Sequence, residues 1–187
     1  MYIKGRIVTL KAIAPNELAL IFSWINDPET NNLLGTWRFP ENIAEELHSL
    51  DCFSNSAESK YFAIHTDEAG IVGIASFMDI NMGDKNACLW LCIGDKQNRG
   101  KKYAIDTVMT MMRFAFNDLS LNRLNARIIE YNFAAFNLFV NKCGWKNEGL
   151  QKQYYLRNGK YWDRILIGIT AADYKDFIAK NGYWEGH

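Results

Sequence analysis

Residues Asn86 to Gly94, NACLWLCIG, form an almost unbroken apolar run that passes directly into a polar loop, DKQNRGKK, and then into a helical stripe. A strand apolar on both sides must be covered on both faces, so it belongs near the middle of a sheet with helices above and below. The stripe after the loop, Ala104, Val108, Met111, Met112, Ala115 and Leu119, has the i, i+4, i+7, i+8 spacing of a long amphipathic helix ending near NDLSLN. A strand, a glycine-bearing turn and a helix start place outward-pointing backbone N–H groups where an anion can sit. The nearest familiar pattern, G-x-x-x-x-G-K-[ST], needs a hydroxyl to ligate magnesium. Here Gly94 and Gly100 are separated by five residues and Lys102 stands in the hydroxyl's place, so a nucleoside-triphosphatase loop is a poor fit.

The flanking segments extend the pattern. GRIVTLKAI reads as a first strand, with Ile7 or Val8 and Leu10 facing inward. Pro15 suits a first helical position, and Leu18, Ile21, Phe22 and Ile25 recur at helical spacing until NDPE breaks them. A second helix is expected in ENIAEELHSLDCF, then a hairpin of KYFAIHT and GIVGIASFMDI around DEAG. Beyond the long helix, RLNARIIEY reads as a strand and NFAAFNLFVNKCGW as a short helix closed by Gly144. The chain finishes in two aromatic, β-branched strands joined at Asn158-Gly159, a strong two-residue hairpin signal. The expectation is an α/β (α+β) mixed, mostly antiparallel sheet of about seven strands with helices on both faces, in one domain over residues 1–187.

At 187 residues and 49% hydrophobic content the chain can build one sizeable core. Lysine plus arginine and aspartate plus glutamate both number 21, with no block of like charge, so no nucleic-acid partner is expected. The charged, strand-like N-terminus and the lack of any long apolar run point to a cytoplasmic protein without a membrane partner. Cys52, Cys88, Cys92 and Cys143 form no C-x-x-C pair, and His48, His65 and His187 lie far apart, so no metal is expected and the cysteines read as free buried thiols.

From Arg6 to about Tyr174 the sequence resembles the GNAT superfamily of acyl-CoA N-acyltransferases, especially the branch of spermidine and ribosomal-protein N-terminal acetyltransferases. QNRGKK supplies Gln97 and Gly100 of the signature [RQ]-x-x-G-x-[GA], with Lys102 where a small residue is usual. IGDKQNRGKKYAIDTVM is similar to the branch's strand-loop-helix, EYNFAAFNLFVNKCGWKNEG to its asparagine-bearing helix, and YYLRNGKYWDRILIGI to its terminal hairpin. The resemblance implies acetyl-CoA as co-substrate, without metal. Gln97, Asn98, Arg99, Gly100, Lys101, Lys102, Tyr103 and Ala104 would cradle its pyrophosphate. The pantetheine arm would pair like an added strand with Leu91, Cys92 and Ile93 where the sheet splays, and Asn132 would hold it from the other side.

The implied chemistry is direct attack by a primary amine on the thioester in a ternary complex. The amine must lose a proton, because an alkyl ammonium has a pKa of about 10.4. A backbone N–H of Leu91 or Cys92 would meet the developing oxyanion. Two positions depart from the branch: Cys88 stands where many relatives carry glutamate, and Phe139 or Val140 where they carry tyrosine. The spacing from Asn132 to Gly144 is also one residue longer than usual. Tyr131, Tyr154 and Tyr155 are substitute proton carriers, with Tyr154 taken as the catalytic one, and Asp79 and Glu130 are carboxylates at strand ends. Trp24, Trp37 and Phe39 offer apolar walls for the acceptor, while Asp27 or Glu29 could hold its cation. Acceptors in scope are a polyamine, an amino sugar or aminoglycoside, or a protein N-terminus. A homodimer is compatible with this reading, and the alternative function is a non-catalytic acyl-CoA sensor.

Overall fold

The computed structural model describes residues 2–34 and 57–185. Trp37, Phe39, Cys52 and the helix expected in ENIAEELHSLDCF lie outside the described residues. The described elements are β1 (Tyr2–Lys4), β2 (Thr9–Lys11), α1 (Leu18–Ile25), α2 (Pro28–Leu33), β3 (Lys60–Thr66), β4 (Gly70–Asn81), β5 (Asn86–Ile93), α3 (Tyr103–Arg113), β6 (Arg123–Ile129), α4 (Phe133–Phe136), β7 (Lys146–Arg157), β8 (Lys160–Thr170) and α5 (Ala171–Asn181).

The strands form one sheet in the order β1-β2-β3-β4-β5-β6-β8-β7, eight strands rather than about seven. The extra strand is β1, which precedes the segment GRIVTLKAI read as the first strand; within that segment only Thr9–Lys11 is strand, and it turns back to pair with β1. Asp106 of α3, itself buried, forces that turn: its carboxylate accepts N–H bonds from Arg6 (3.1 Å), Ile7 (2.7 Å) and Val8 (2.9 Å), and the Tyr183 hydroxyl at 2.8 Å. Val8 and Leu10 therefore face the core, and Ile7 is turned to solvent. NDPE ends α1 and also starts α2, because the Asp27 side chain accepts the Thr30 N–H at 2.9 Å and Pro28 occupies the first helical position. The Asn158-Gly159 turn forms as the sequence predicts, both residues adopting positive φ, 50° and 74°. The terminal helix α5 was not anticipated, although Thr170 and Asp173 cap it reciprocally.

Two apolar clusters hold the layers. The larger packs α3 (Val108, Met109, Met111, Met112) against Leu89, Leu124, Ile167 and Trp145 on one face of the sheet. The smaller packs Ile21 and Ile25 of α1 and Leu34 against Ile74 and Cys92 on the other. β5, with Ala87 and Leu89 toward one face and Cys88 and Cys92 toward the other, is covered on both sides as its apolar run requires.

Candidate active site at the sheet opening

β5 and β6 run parallel and pair only at Asn86 with Arg123, Ala87 with Leu124 and Cys88 with Asn125. Beyond Cys88 the strands part: β5 continues on β4 to Ile93, while β6 continues on β8 to Ile129. An opening is left between them, and its backbone direction follows from the register. Gly94 donates its N–H to the Val72 carbonyl of β4 at 3.0 Å, and backbone groups alternate sides along a strand. The Cys92 N–H therefore faces Ile74 of β4, its partner in register, and the backbone of Leu91 and the Ile93 N–H face the opening, while the Ile93 carbonyl accepts the Arg99 Nε–H at 3.3 Å. Of the two expected oxyanion donors the register presents Leu91 and turns Cys92 away. The Cys92 side chain is buried under α1, where desolvation pushes its thiol up to about 12. Burial also raises the Cys88 thiol, which suits a packed neutral group rather than a nucleophile.

The loop after β5 is fixed by its own side chains. Asp95 accepts the Gln97 N–H at 2.9 Å and the Asn98 side-chain amide at 2.8 Å, and Asn98 is buried. The Asn98 and Arg99 N–H groups bond the carbonyls of Asp95 and Lys96, so these members of the expected cradle are spent inside the loop. The N–H groups of Gly100, Lys101 and Lys102 have no partner among the described residues, and those of Tyr103, Ala104 and Ile105 belong to the first turn of α3, which leaves its donors outward. Gly100 (φ +83°) and Lys102 (φ +67°) adopt left-handed backbone, and the space a Cβ at Gly100 would enter is open. That concavity of N–H groups at a helix start fits a pyrophosphate. Lys101, Lys102 and Gln97 are exposed around it, with Lys101 Nζ bonded to Asn98 Oδ1 at 2.9 Å.

Asp27 and Glu29, expected to hold a substrate cation, meet two cations of the loop. Lys96 Nζ lies 3.1 Å from Asp27 Oδ1 and 2.9 Å from Glu29 Oε2, and Arg99 reaches Glu29 at 3.2 Å and the Thr30 hydroxyl at 2.9 Å. The Thr30 N–H, then Lys96, holds the Asp27 carboxyl down at about 2, and Lys96 lowers that of Glu29. Trp24 packs on the Gly94 backbone so closely that a Cβ there would fall 2.0 Å from the indole, which makes Gly94 a packing requirement.

Asn132 stands past the end of β6, across the opening. Its Oδ1 accepts the Ala135 N–H at 3.0 Å, capping α4, and its Nδ2 donates to the Leu33 carbonyl at 3.3 Å. Tyr131 donates its hydroxyl to the Asn32 carbonyl at 2.5 Å, so both residues hold the C-terminal end of α2 beside the opening. Residues Asn137–Lys142 form a wide π turn. Phe139 is buried there, edge-on to Trp145 at 4.9 Å. The structure does not bring Tyr154 to Leu91: it lies half-exposed on the edge strand β7, beneath the Arg164 guanidinium, with β6 and β8 between β7 and β5. Sequence reasoning missed Thr30 and Lys96 at the loop and Asn32 and Leu33 opposite it, since these contacts join positions 69 to 99 residues apart.

Comparison with known proteins agrees with this geometry. Residues 8–146 match the model of the acetyltransferase (GNAT) domain. The chain is 24% identical over 174 residues to YokL, an uncharacterized N-acetyltransferase of the SPbeta prophage of Bacillus subtilis, covering 93% of this chain and 96% of that protein. It is 26% identical over 138 residues to the [ribosomal protein uS5]-alanine N-acetyltransferase of Escherichia coli, covering 73% of this chain and 70% of the relative. Among solved structures, the spermidine N-acetyltransferase of Vibrio cholerae, in complex with CoA and spermine, superposes with a TM-score of 0.79 at 22% identity, covering 90% of this chain and 98% of that one. An opened β5–β6 edge, a loop of free N–H groups at the start of α3 and a family match spanning both identify the chain as a member of the GNAT acetyltransferase family.

Proposed function

We propose that this protein transfers an acetyl group from acetyl-CoA to a primary amine, and that the opening between β5 and β6 is where the two meet. The observation that carries the reading is the parting of the strands after Cys88 and Asn125, which leaves the Leu91 backbone and the Ile93 N–H without a strand partner on the β6 side, on the strand that leads into the loop at Gly100. The co-substrate supplies a thioester, an electrophilic acyl group on a leaving sulfur. Gly100 to Ile105 bind the pyrophosphate, and the Leu91 and Ile93 edge aligns the amide-bearing arm as an added strand. The Leu91 N–H sits where it can stabilise negative charge on the attacked carbonyl oxygen. Neither Cys88 nor Phe139 can relay a proton, so solvent takes the proton from the amine; the departing thiol, with an ordinary pKa of about 8.5, needs little help. Asn132 and Leu91 act by alignment, an effect that reaches about 7 kcal/mol or more in favourable cases.

The test is direct. Acetyl-CoA should raise the melting temperature without magnesium, and Gly100→Val should abolish that rise by filling the cradle. Thiol release from acetyl-CoA should then appear with at least one member of a panel of amino acids, peptides, amino sugars, aminoglycosides and polyamines. No stabilisation up to millimolar acetyl-CoA removes the proposal, and stabilisation without thiol release across the panel leaves an acyl-CoA sensor in its place.

A further inference from the structure

A cavity of about 290 Å³ lies at the end of β6 that borders the opening, lined by Asn32, Tyr131, Arg157, Asn158, Lys160 and Trp162. The tip of the β7–β8 hairpin brings Arg157 and Lys160 to it, the C-terminal end of α2 brings Asn32, and Tyr131 packs edge-on to Trp162 at 4.7 Å. Among the described residues, two cations stand in its wall and no carboxylate does. Lys160 rests 3.8 Å from the Trp162 ring and Arg157 5.5 Å from that of Tyr155, contacts that leave their charge unneutralised. Neither forms an ion pair among the described residues.

Among the described residues, several carboxylates near the opening already pair with cations. Asp27 and Glu29 hold Lys96, Asp79 holds Arg127 at 3.1 Å, and Glu148 holds Arg123. Glu130 accepts the Asp163 N–H at 2.8 Å and Asp163 accepts the Gln153 N–H at 2.7 Å. Arg164 faces Gln151 and Tyr154 rather than an acid. Among the described residues named here, Arg157, Lys160 and Arg164 have no carboxylate partner, while Glu130 and Asp163, which accept only backbone N–H groups, keep their charge, so the positive excess is small and is concentrated at the hairpin tip.

Resting on the proposed transfer reaction, we infer that the acceptor is an amine that also carries a carboxylate or phosphate, that Arg157 and Lys160 receive this anion, and that polyamines are disfavoured. Mixed charge lets one molecule place its anion on the hairpin cations and its amine at the thioester, whereas a polyamine brings a second cation against them.

The experiment measures thiol release with butylamine, putrescine and γ-aminobutyrate, and with ethanolamine and phosphoethanolamine, at low salt. The expected kcat/KM is about tenfold or more higher for the anion-bearing member of each set, with putrescine lowest. In the double variant Arg157→Gln, Lys160→Gln that ratio should fall by about the same factor, with KM for γ-aminobutyrate or phosphoethanolamine rising. The two sets separate carboxylate from phosphate. Calorimetric binding of the same five compounds to the full chain is measured in parallel. Anion binding that the double variant loses, without thiol release from any amine, keeps this site and rejects the transfer reading. Putrescine matching or exceeding γ-aminobutyrate and phosphoethanolamine, or an anion preference that survives the double variant, overturns the inference, as does failure of both anions to bind.

Discussion

Single residues around the opening divide by whether they act through packing, backbone or charge. Gly94 acts through packing: Gly94→Ala would drive a Cβ into Trp24, so about 1–3 kcal/mol of stability should be lost in urea denaturation, with a shift in tryptophan emission. Gly100 acts through its positive φ and the space above it, and its substitution should show in co-substrate binding before it shows elsewhere. Asp27 acts through charge. Its carboxyl is lowered from 3.8 to about 2 by Thr30 and Lys96, so its contribution is complete above about 3.8 and is lost as pH falls toward 2. Asp173, held at about 2 by Lys146 and Thr170, titrates in the same window. Acid denaturation of Asp27→Asn should therefore lack one component of the wild-type loss and keep that of Asp173. The residue types at these positions were legible in the sequence, and the role of Asp27 was not: its partner is 69 residues away.

Among elements, α2 and α4 are tied across the opening by one side chain. Asn132 caps α4 with its oxygen and holds the end of α2 with its nitrogen. Asn132→Asp keeps the capping acceptor but sets a carboxylate against the Leu33 carbonyl, whereas Asn132→Ala removes both contacts. Denaturation should show a loss of about 1 kcal/mol or more for Asn132→Ala and less for Asn132→Asp. KM for acetyl-CoA should rise in both, because each releases α2 from the far wall. Periodicity reveals such helices well; it did not reveal the π turn that follows α4 at Asn137–Lys142, since the wider turn shifts the period by less than a residue per turn. The cap of α5 was visible as Thr170 three residues before Asp173, a pattern overlooked beside the stronger strand signal preceding it.

At the scale of the molecule, the sheet is two antiparallel blocks joined by a short parallel seam from Asn86 to Cys88, with α3 packed beneath. Backbone groups of one strand should then differ sharply by parity. Single-amide hydrogen exchange should find the Leu91 and Ile93 amides fast and the Trp90 and Cys92 amides protected in the free protein, and acetyl-CoA should slow the first pair selectively. Equal protection of all four in the free protein would mean that the opening is closed in solution.

The sequence by itself determined the buried central strand, the glycine loop at the start of a long helix and the type I′ hairpin, because apolar period, positive φ and helix caps act between neighbours a few residues apart. Tertiary structure alone decided that β1 and β2 turn back on each other at Asp106, that Asp27 and Glu29 pair with Lys96 and Arg99 of the loop, and that Leu91 rather than Cys92 turns its N–H to the opening. Each of these depends on which distant group occupies one hydrogen-bonding position or one charge. Local pattern carries no record of that choice, since it is made only when groups some 20 to 100 residues apart are brought together by the packed sheet and helices.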